Sequence, residues 1–375
     1  MEESRKTPST SGKKKTRVVV KVGTSSLIKA DTGVVHLSQL AKICEQITEL
    51  QKSNEFQCAI VTSGAVGAGM LQLGIKEKPK ELQKRQALAA IGQAHLMHYY
   101  EDMFGTLGVK TAQVLLTLEN LSQKSQYNRA MNTFSSLFDY DVVPIVNEND
   151  TTATSEIKYG DNDRLAARVA QIIGADTLII FSDVDGLYGG GKKRKLIKEV
   201  QYLTNETYKL ADTKINSYGS GGMITKLEAA KICMSAGCYM FIANGNKTNP
   251  IKNMINKKIF TKFIPKISAM AARKKWIVSS LSSPGTIYID KGASIALKNG
   301  KSLLAAGIKM IRGKFNKGDN ILVMDEQNNK LARGLASFSS IEIEKIKGRQ
   351  SNEIEKILGY PSKTEIIHKD DMVKL

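Results

Sequence analysis

The stretch "VVKVGTSSL", Val19–Leu27, decides the fold of this chain, because it joins an apolar strand to a turn of small polar residues. The valines predict a buried β-strand, and that strand ends on Lys21, Gly23 and three hydroxyl side chains. A lysine at this point either holds an anion or reaches solvent from an edge strand. Small residues follow the lysine, and glycine lets a ligand approach the backbone closely, so the sequence favours the anion.

Short apolar runs alternate with helical patterns along the following two hundred or so residues. The apolar runs are "CAIVTS" at 58–63, "AQVLLT" at 112–117, "VVPIVN" at 142–147, "TLIIFSDV" at 177–184 and "YMFIA" at 239–243. Nearly continuous apolar strands separated by helices predict an α/β fold with a mainly parallel sheet sandwiched by helices. Ligands bind such sheets beyond the carboxyl ends of the strands, where polar residues follow each of these runs.

The pattern of the sequence divides the chain into three parts. Residues 1–16 are polar and lack periodicity, which predicts a disordered tail. Residues 17–276 carry the alternating pattern and are expected to form the larger domain. From residue 279 to 375 short strands are punctuated by glycine, which predicts a small β-rich second domain.

Composition excludes several classes of protein. None of the apolar runs in the 375 residues is long enough to span a membrane, and the N-terminus lacks a secretory signal, so we expect a cytoplasmic protein without membrane contact. The four cysteines form no C-x-x-C pair, which indicates reduced, buried thiols. The four histidines form no spaced set with cysteine or carboxylate, so a transition-metal site is not expected.

The net charge of +19 raises the question of nucleic-acid binding. The basic segments at 192–195 and 247–275 have no interleaved aromatic residues on which bases could stack. A solvated basic face therefore explains the charge better, and RNA binding stays open as a rival hypothesis.

The segment "NENDTTATSEIKYGDNDRLAA", residues 147–167, concentrates acidic and amide side chains between a strand and a helix. Asp161 or Asn162 could cap the helix, yet capping does not account for four carboxylates, at positions 148, 150, 161 and 163. Such a cluster can bind an ammonium group, coordinate Mg²⁺ through water, or orient lysines. The sequence alone leaves these three roles open.

Three glycine-rich segments are candidates for binding phosphate. "SGAVGAG", Ser63–Gly69, fits either an anion site or close packing, and its spacing is not that of a dinucleotide fingerprint. "GSGGMITK", Gly219–Lys226, predicts a phosphate cradle before a helix, with Lys226 as its cation. "GLYGGGKK", Gly186–Lys193, lacks the Ser or Thr that a P-loop needs for Mg²⁺, so we interpret it as a surface hairpin.

Five segments in this order resemble the motif series of the amino acid kinase family, in particular of its members that phosphorylate glutamate. They are "VVKVGTSSL", "VTSGAVGAG", "PIVNENDTTATSEIKYGDNDRLAA", "FSDVDGLY" and "GSGGMITKLEAA". The later "LLAAGIKMIRGKFNKGD", "SNEIEKILGY" and "HKDDMV" resemble a PUA domain. The resemblance implies an amino acid kinase domain over 17–276, a PUA domain over 279–375, and ATP-dependent phosphorylation of the side-chain carboxylate of L-glutamate, the first step of proline synthesis.

The same resemblance assigns roles to residues. It implies that Lys21, Lys226 and Asp163 are catalytic, with the two lysines flanking the transferring phosphoryl group. Glutamate binding falls to Ser63, Gly64, Asn147, Asp150, Asp161 and Asn162. Binding of ATP, with Mg²⁺, falls to Lys21, Gly23, Ser182, Asp183, Ser220, Gly221, Gly222, Met223, Ile224, Thr225 and Lys226. No residue is assigned as a metal ligand, and none is needed as a general base, because phosphoryl transfer depends on positioning and charge neutralisation.

The resemblance leaves several points open. The chain has "GGGKKRKL" where the family continues toward an Asp-Pro pair, and Phe260-Thr261 where it has glycine-threonine, which puts the nucleotide contacts of those segments in doubt. Feedback inhibition by proline and a homo-oligomeric state are expected from the family alone. The alternatives are a kinase with another acceptor and an RNA-binding protein that uses the PUA domain.

Overall fold

The structure is a computed structural model, and it describes residues 15–27, 35–152, 161–189, 195–211, 222–268, 270–272, 274, 277 and 283–375. Of residues 124 and 161 it describes the backbone alone. Most of the predicted tail, residues 1–14, lies outside the described residues, and the first strand begins at Thr16.

Ten strands belong to the N-terminal part of the chain. They are β1 (Thr16–Val22), β2 (Phe56–Val61), β3 (Thr111–Leu116), β4 (Val143–Glu148), β5 (Thr177–Ser182), β6 (Tyr188–Gly189), β7 (Lys195–Leu196), β8 (Glu199–Val200), β9 (Tyr239–Asn244) and β10 (Thr261–Phe263). Eight of them form one sheet in the order β3-β4-β2-β1-β5-β9-β10-β8. Every neighbouring pair is parallel except β9 and β10. The prediction of a mainly parallel sheet is confirmed.

Helices cover both faces of this sheet. They are α1 (Thr24–Leu27), α2 (Leu37–Lys52), α3 (Ala65–Gln72), α4 (Leu82–Thr106), α5 (Leu118–Ser122), α6 (Lys124–Asp139), α7 (Asp161–Ile173), α8 (Asn205–Ala211), α9 (Met223–Ser235) and α10 (Pro250–Lys257). The side chains of a strand alternate between faces. In β1, Val18, Val20 and Val22 pack with α2 and α4, whereas Val19 packs with α7 and α9. The core therefore consists of two apolar layers, one on each side of the sheet.

A second, smaller domain follows, as the sequence predicts. Its elements are β11 (Gly285–Ile289), α11 (Lys291–Lys298), β12 (Leu303–Leu304), β13 (Ile308–Gly313), β14 (Asn320–Asp325), β15 (Lys330–Leu335), α12 (Ser340–Ile346), α13 (Ile354–Leu358), β16 (Glu365–Ile367) and β17 (Met372–Lys374), with short 3-10 turns at Ala305–Gly307, Ser351–Glu353 and Lys369–Asp371. Five strands form a sheet in the order β13-β11-β14-β15-β17, which is antiparallel except for β11 and β14. The domain has its own buried apolar cluster.

The second domain contacts the first through the turn between β13 and β14. The Asn128 side chain of α6 donates to Asp319 Oδ1 at 2.8 Å, and Asn132 donates to the backbone oxygen of Lys317 at 2.7 Å. Asn128 is buried in this contact. The two domains are therefore joined by specific polar contacts as well as by the chain.

Two expectations from the composition concern the cysteines and a membrane span. All four cysteines are buried free thiols. Within the described part of the chain, no helix combines the length and the apolar character that crossing a membrane requires.

Candidate active site

The carboxyl ends of four neighbouring parallel strands bring the predicted site residues to one edge of the sheet. In the order β4-β2-β1-β5, these strands lead into Asn147–Glu148, Thr62–Ser63, Lys21–Val22 and Ser182. Strand β1 is central, with Lys21 in register with Val61 on one side and Ile180 on the other. The interpretation of Lys21 as a side chain that reaches solvent from an edge strand is thereby excluded.

The alternation of β1 directs Lys21 toward α7 and α9. Lys21 lies two residues from Val19, and residues two apart share a face of a strand. That face is the one covered by α7 and α9, which carry Asp163 and Lys226. Three residues far apart in the chain thus converge on one point.

Asp163 joins the two lysines. Lys21 Nζ lies 2.9 Å from Asp163 Oδ1, and Lys226 Nζ lies 3.2 Å from Asp163 Oδ2. Thr225 also donates its hydroxyl to Asp163 Oδ2, at 3.0 Å. Asp163 is 1% exposed, Lys226 4% and Lys21 7%, so these charges face one another away from bulk water.

The electrostatics of the triad stabilise its charged form. Burial raises the pKa of Asp163, but the charges of Lys21 and Lys226 outweigh burial and lower the pKa to about 2. Burial lowers the pKa of Lys226, and the charge of Lys21 lowers it further, whereas Asp163 opposes both effects. The carboxylate therefore stays ionised at neutral pH and keeps two ammonium groups side by side despite their repulsion.

An ion pair beside the triad fixes the helices that carry it. Arg164 follows Asp163 on α7, and its guanidinium contacts Glu228 Oε2 through two nitrogens, Nε at 2.6 Å and Nη2 at 2.5 Å. Glu228 lies two residues after Lys226 on α9. This geometry couples α7 to α9 next to Asp163 and Lys226, and no local pattern in the sequence predicts it.

A second group of polar side chains lies at the ends of β2 and β4. Asn162 Nδ2 donates to Ser63 Oγ at 2.9 Å and approaches Asn147 Oδ1 at 3.3 Å. Asn147 Nδ2 in turn donates to Gln93 Oε1 at 2.8 Å. Three of the residues expected to bind glutamate are thus connected, and Gln93 of α4 joins them although the sequence analysis did not name it.

Among the described side chains of the acidic segment, the carboxylates of Glu148, Asp150 and Asp163 do not form one cluster. Asp163 is held by the lysines, and Glu148 is buried at the end of β4. Burial raises the pKa of Asp150, while the charges of Lys78 and Arg85 act in the opposite direction. Asp161 opens α7, and its side chain lies outside the described residues. Of the three roles left open for this segment, the orientation of lysines is the one that the geometry of Asp163 fits.

Most of the described residues that are expected to bind nucleotide lie at the end of β5 and at the start of α9. Ser182 donates to Asp183 Oδ1 at 3.0 Å, and Asp183 is exposed at the end of β5 and acts electrostatically on Lys226. Gly222 precedes α9, and a side chain there would meet no atom within 4 Å. Met223, Ile224 and Thr225 form the first turn of α9. Ser220 and Gly221 lie outside the described residues.

Two glycines of the site, Gly23 and Gly64, are required by the local geometry of the backbone and of Lys21. A Cβ at Gly23 would lie 3.2 Å from Lys21 Nζ, so glycine keeps the space around that ammonium clear. Gly64 has φ of 103°, a left-handed conformation that favours glycine, and it turns the chain from β2 into α3. Close packing explains Gly69, because its Cβ would lie 2.0 Å from the backbone oxygen of Leu88.

The segment interpreted as a surface hairpin is flanked by two paired strands. Strands β6 and β7 pair antiparallel, and residues 190–194 between them lie outside the described residues. Thr261 accepts from the Leu187 backbone N–H at 2.8 Å and donates to the Ile197 oxygen at 2.6 Å. Phe260 packs edge-on against Phe241, with ring centroids 5.2 Å apart. Thr261 thus anchors this hairpin to β10, whereas Phe260 packs against β9.

The described residues contain no group of three or more acidic, histidine or cysteine side chains that could hold a metal ion. Asp163, the most buried carboxylate of the site, is already bonded to two ammonium groups and a hydroxyl. Any Mg²⁺ at this site is therefore best treated as part of a Mg²⁺–nucleotide substrate, held mainly by phosphates and water.

Known families match both parts of the chain. The sequence profile of the amino acid kinase family matches residues 16–244, and that of the PUA domain matches residues 285–358. The PUA match falls inside the predicted second domain, and the kinase match begins one residue before the predicted first domain; the limits at 17–276 and 279–375 stay predictions.

Curated relatives match nearly the whole chain. The glutamate 5-kinase of Pelagibacter ubique is 52% identical over 362 residues, covering 96% of this chain and 98% of the relative. The glutamate 5-kinase of a Thermoanaerobacter species is 46% identical over 365 residues, with 96% and 98% covered. Among solved structures, the UMP kinase from Ureaplasma parvum is similar with a TM-score of 0.47 and 16% identity, covering 67% of this chain and all of that one.

Proposed function

The chain belongs to the amino acid kinase family, within it to the glutamate 5-kinases, and we propose that Lys21, Asp163 and Lys226 form the phosphoryl-transfer centre of this enzyme. The reaction is the ATP-dependent phosphorylation of the side-chain carboxylate of L-glutamate. It yields L-glutamyl 5-phosphate and ADP, and it is the first step of proline synthesis. The chain also carries a PUA domain after the kinase domain.

One observation carries the assignment of the catalytic centre: two buried lysines from different elements lie within 3.2 Å of one carboxylate. Phosphoryl transfer needs little covalent chemistry from the protein, because charge spreads over the equatorial phosphoryl oxygens and must be neutralised. Lys21 and Lys226 supply that neutralisation from fixed positions, and the energetic cost of orienting them is met during folding.

Bond changes in the reaction are simple. A carboxylate oxygen of glutamate forms a bond to the γ-phosphorus of Mg²⁺–ATP, and the bond from that phosphorus to the β,γ-bridging oxygen breaks. The acceptor is already ionised at neutral pH, since the pKa of a glutamate side chain is about 4.3. No general base is therefore required, which agrees with a centre that contains two cations and one ionised carboxylate.

Substrate contacts are assigned by the position of each group relative to this centre. For the acceptor we propose Ser63, Gly64, Asn147, Asp150, Asp161 and Asn162. For the nucleotide we propose Lys21, Gly23, Ser182, Asp183 and residues 220–226. Opposite charges support this division: Asp150 suits the α-ammonium of an amino acid, and the lysines suit phosphate oxygens.

A trapping assay tests the activity. The protein is mixed with Mg²⁺–ATP, hydroxylamine and single amino acids, so that an acyl phosphate is captured as a hydroxamate. We expect hydroxamate with L-glutamate and none with L-aspartate. Hydroxamate with a different acceptor would identify another substrate, and none with any acceptor at several Mg²⁺ concentrations would overturn the proposal.

Lys226→Ala tests the centre itself. We expect turnover to fall by about 10²–10³-fold with an unchanged circular dichroism spectrum, because a fixed cation acts mainly on the transition state. Lys231→Ala, on the exposed face of the same helix, is the matched control. Near-normal turnover of the Lys226 variant would remove this lysine from the mechanism.

Several further expectations accompany this function as proposals. They are a cytoplasmic location, a homo-oligomeric state, feedback inhibition by proline, and RNA binding by the PUA domain. The rival in which the protein acts only through RNA predicts salt-sensitive retention on RNA with no turnover of ATP.

A further inference from the structure

A chain of amide hydrogen bonds connects Gln93 to Asn147, Asn162 and Ser63, which we call the acceptor side of the site because they are proposed to bind the acceptor. Its Oε1 accepts from Asn147 Nδ2 at 2.8 Å, and Asn147 Oδ1 lies 3.3 Å from Asn162 Nδ2. Asn162 Nδ2 also donates to Ser63 Oγ at 2.9 Å. Four side chains, from α4, β4, α7 and the end of β2, thus form one network.

One backbone group fixes the polarity of the whole network. The N–H of Glu148 donates to Asn147 Oδ1 at 2.9 Å, and a backbone N–H cannot act as an acceptor. The other amide atom of Asn147 must therefore be the nitrogen, and the atom of Gln93 that faces it must be the oxygen. In the same way, Asn162 presents its nitrogen to Asn147.

This polarity leaves a donor on Gln93, at one end of the network, and an acceptor on Asn162, next to Ser63 at the other end. Gln93 Nε2 and Asn162 Oδ1 are buried atoms without a hydrogen-bond partner among the described residues. A buried polar group without a partner costs about 1–3 kcal/mol. Ser63 uses its oxygen to accept from Asn162, so its hydroxyl hydrogen is a further donor.

Packing holds Gln93 in place. The preceding residue, Gly92, lies so close to α3 that a Cβ there would be 1.8 Å from the backbone oxygen of Ala65. Two turns further along α4, the buried Tyr100 hydroxyl bonds to Thr62 Oγ1 at 2.9 Å. Helix α4 is therefore fixed against the turn that carries Ser63, on both sides of Gln93.

We propose that Gln93 is a specificity-determining residue that donates its free amide hydrogen to the α-carboxylate of the acceptor. Ser63 is a second donor to that carboxylate, and Asn162 Oδ1, with Asp150, accepts from the α-ammonium. The donors of Gln93 and Ser63 and the acceptor of Asn162 match the two charged groups of an α-amino acid. This inference rests on the proposed function and identifies the α-carboxylate as the group of the acceptor that Gln93 binds.

Gln93→Glu separates this role from a structural one. The variant keeps an oxygen to accept from Asn147 but replaces the free donor with a carboxylate oxygen that repels the α-carboxylate. We expect KM for glutamate to rise by about 30-fold or more, since a site built to hydrogen-bond a substrate group discriminates strongly when the match is lost. KM for ATP should change less than about twofold, because Gln93 lies on the acceptor side.

A substrate pair provides the sharper measurement. 4-Aminobutyrate has the same acceptor carboxylate and amino group as glutamate but lacks the α-carboxylate. We expect the ratio of kcat/KM for glutamate over 4-aminobutyrate to fall by about 30-fold in Gln93→Glu. Gln83→Glu, an exposed position on the same helix, makes the same charge change and should leave the ratio unchanged.

The outcomes are distinguishable. If wild-type protein forms no glutamyl hydroxamate, the proposed function fails, and this inference fails with it. If Gln93→Glu keeps the wild-type ratio, or loses glutamate and 4-aminobutyrate equally, the inference is wrong and the proposed function stands. Should Gln93→Glu not fold, Asn147→Asp tests the same point. That variant places an oxygen where Asn147 Nδ2 lies, so the Gln93 amide must rotate and use its N–H to bond this oxygen instead of the substrate. A wild-type ratio in Asn147→Asp also overturns the inference.

Discussion

Asp163 is the residue on which the electrostatics of the site depend. Two ammonium groups would repel each other in a buried environment, and the two oxygens of Asp163 hold one each, at 2.9 and 3.2 Å. The pKa of this carboxyl, about 2, means that it stays ionised across the physiological range. Lys226 loses its proton more readily than an ordinary lysine, because burial lowers its pKa.

The lowered pKa of Lys226 predicts an alkaline limit on activity. Burial and Lys21 favour the neutral amine, and only the ammonium form can neutralise a phosphoryl oxygen. We expect kcat/KM for ATP, which reports the free enzyme, to decline with rising pH around a midpoint below 10.5, the ordinary value for lysine. In kcat the midpoint should lie higher, because bound phosphates favour the ammonium.

Lys226→Arg identifies the group responsible for that limit. A guanidinium stays charged above pH 12. The variant should therefore lose activity through altered geometry but show no decline below pH 10.5. The same decline in this variant would assign the limit to another group.

At the scale of elements, the close crossing of α3 and α4 shapes the acceptor side. Gly69 and Gly92 allow the two helix backbones to touch, and this contact places Gln93 beside the end of β4. A side chain is tolerated less well at Gly92 than at an ordinary helical glycine, because the atoms that a Cβ would meet are backbone atoms, which cannot move aside as a side chain can.

Gly92→Ala is expected to destabilise the protein by about 2–4 kcal/mol, because overpacking at a backbone contact forces the helices apart. Gly105→Ala lies in the same helix, where a Cβ meets no atom within 4 Å. That control should be neutral or slightly stabilising, since alanine favours a helix over glycine by up to about 1 kcal/mol. Urea unfolding of both variants measures the difference, and equal midpoints would contradict the packing argument.

The sequence predicts the helices and strands better than the tertiary contacts between them. The valine run of β1 and the helical spacing of Leu165, Val169 and Ile172 identify a strand and a helix locally, because apolar periodicity reports burial. Family motifs name Lys21, Asp163 and Lys226. The partnership of Gln93 with Asn147 has no local signal, because it depends on how α4 packs. The reversed direction of β10 and the Arg164–Glu228 pair are likewise products of tertiary structure.

At the scale of the whole molecule, the PUA domain is docked on α6, and α6 packs against α7. Helix α7 carries Asn162 and Asp163. A single helix therefore lies between the second domain and the helix that carries the proposed catalytic centre, which gives the PUA domain a direct structural route to the kinase domain.

Asn128→Asp should loosen this docking. A carboxylate in place of the amide would face Asp319 and replace a hydrogen bond with repulsion, at a cost of about 1–3 kcal/mol to the domain contact. We expect thermal unfolding to separate into two steps, with faster proteolytic cleavage of the native protein. Thr133→Ala, an exposed position on α6 whose hydroxyl bonds within its own helix, is the control. A single unchanged transition in Asn128→Asp would show that this contact does not hold the domains together.

Asn162 and Asp163 are consecutive residues, yet one belongs to the proposed acceptor network and the other to the proposed phosphoryl-transfer centre. A backbone shift at the start of α7 would disturb both at once. Descendants of such an enzyme could hardly adopt a new acceptor by remodelling this turn without sacrificing rate. Evolutionary change in selectivity should instead accumulate in α4 and in the turn after β2, where substitutions leave the lysines untouched.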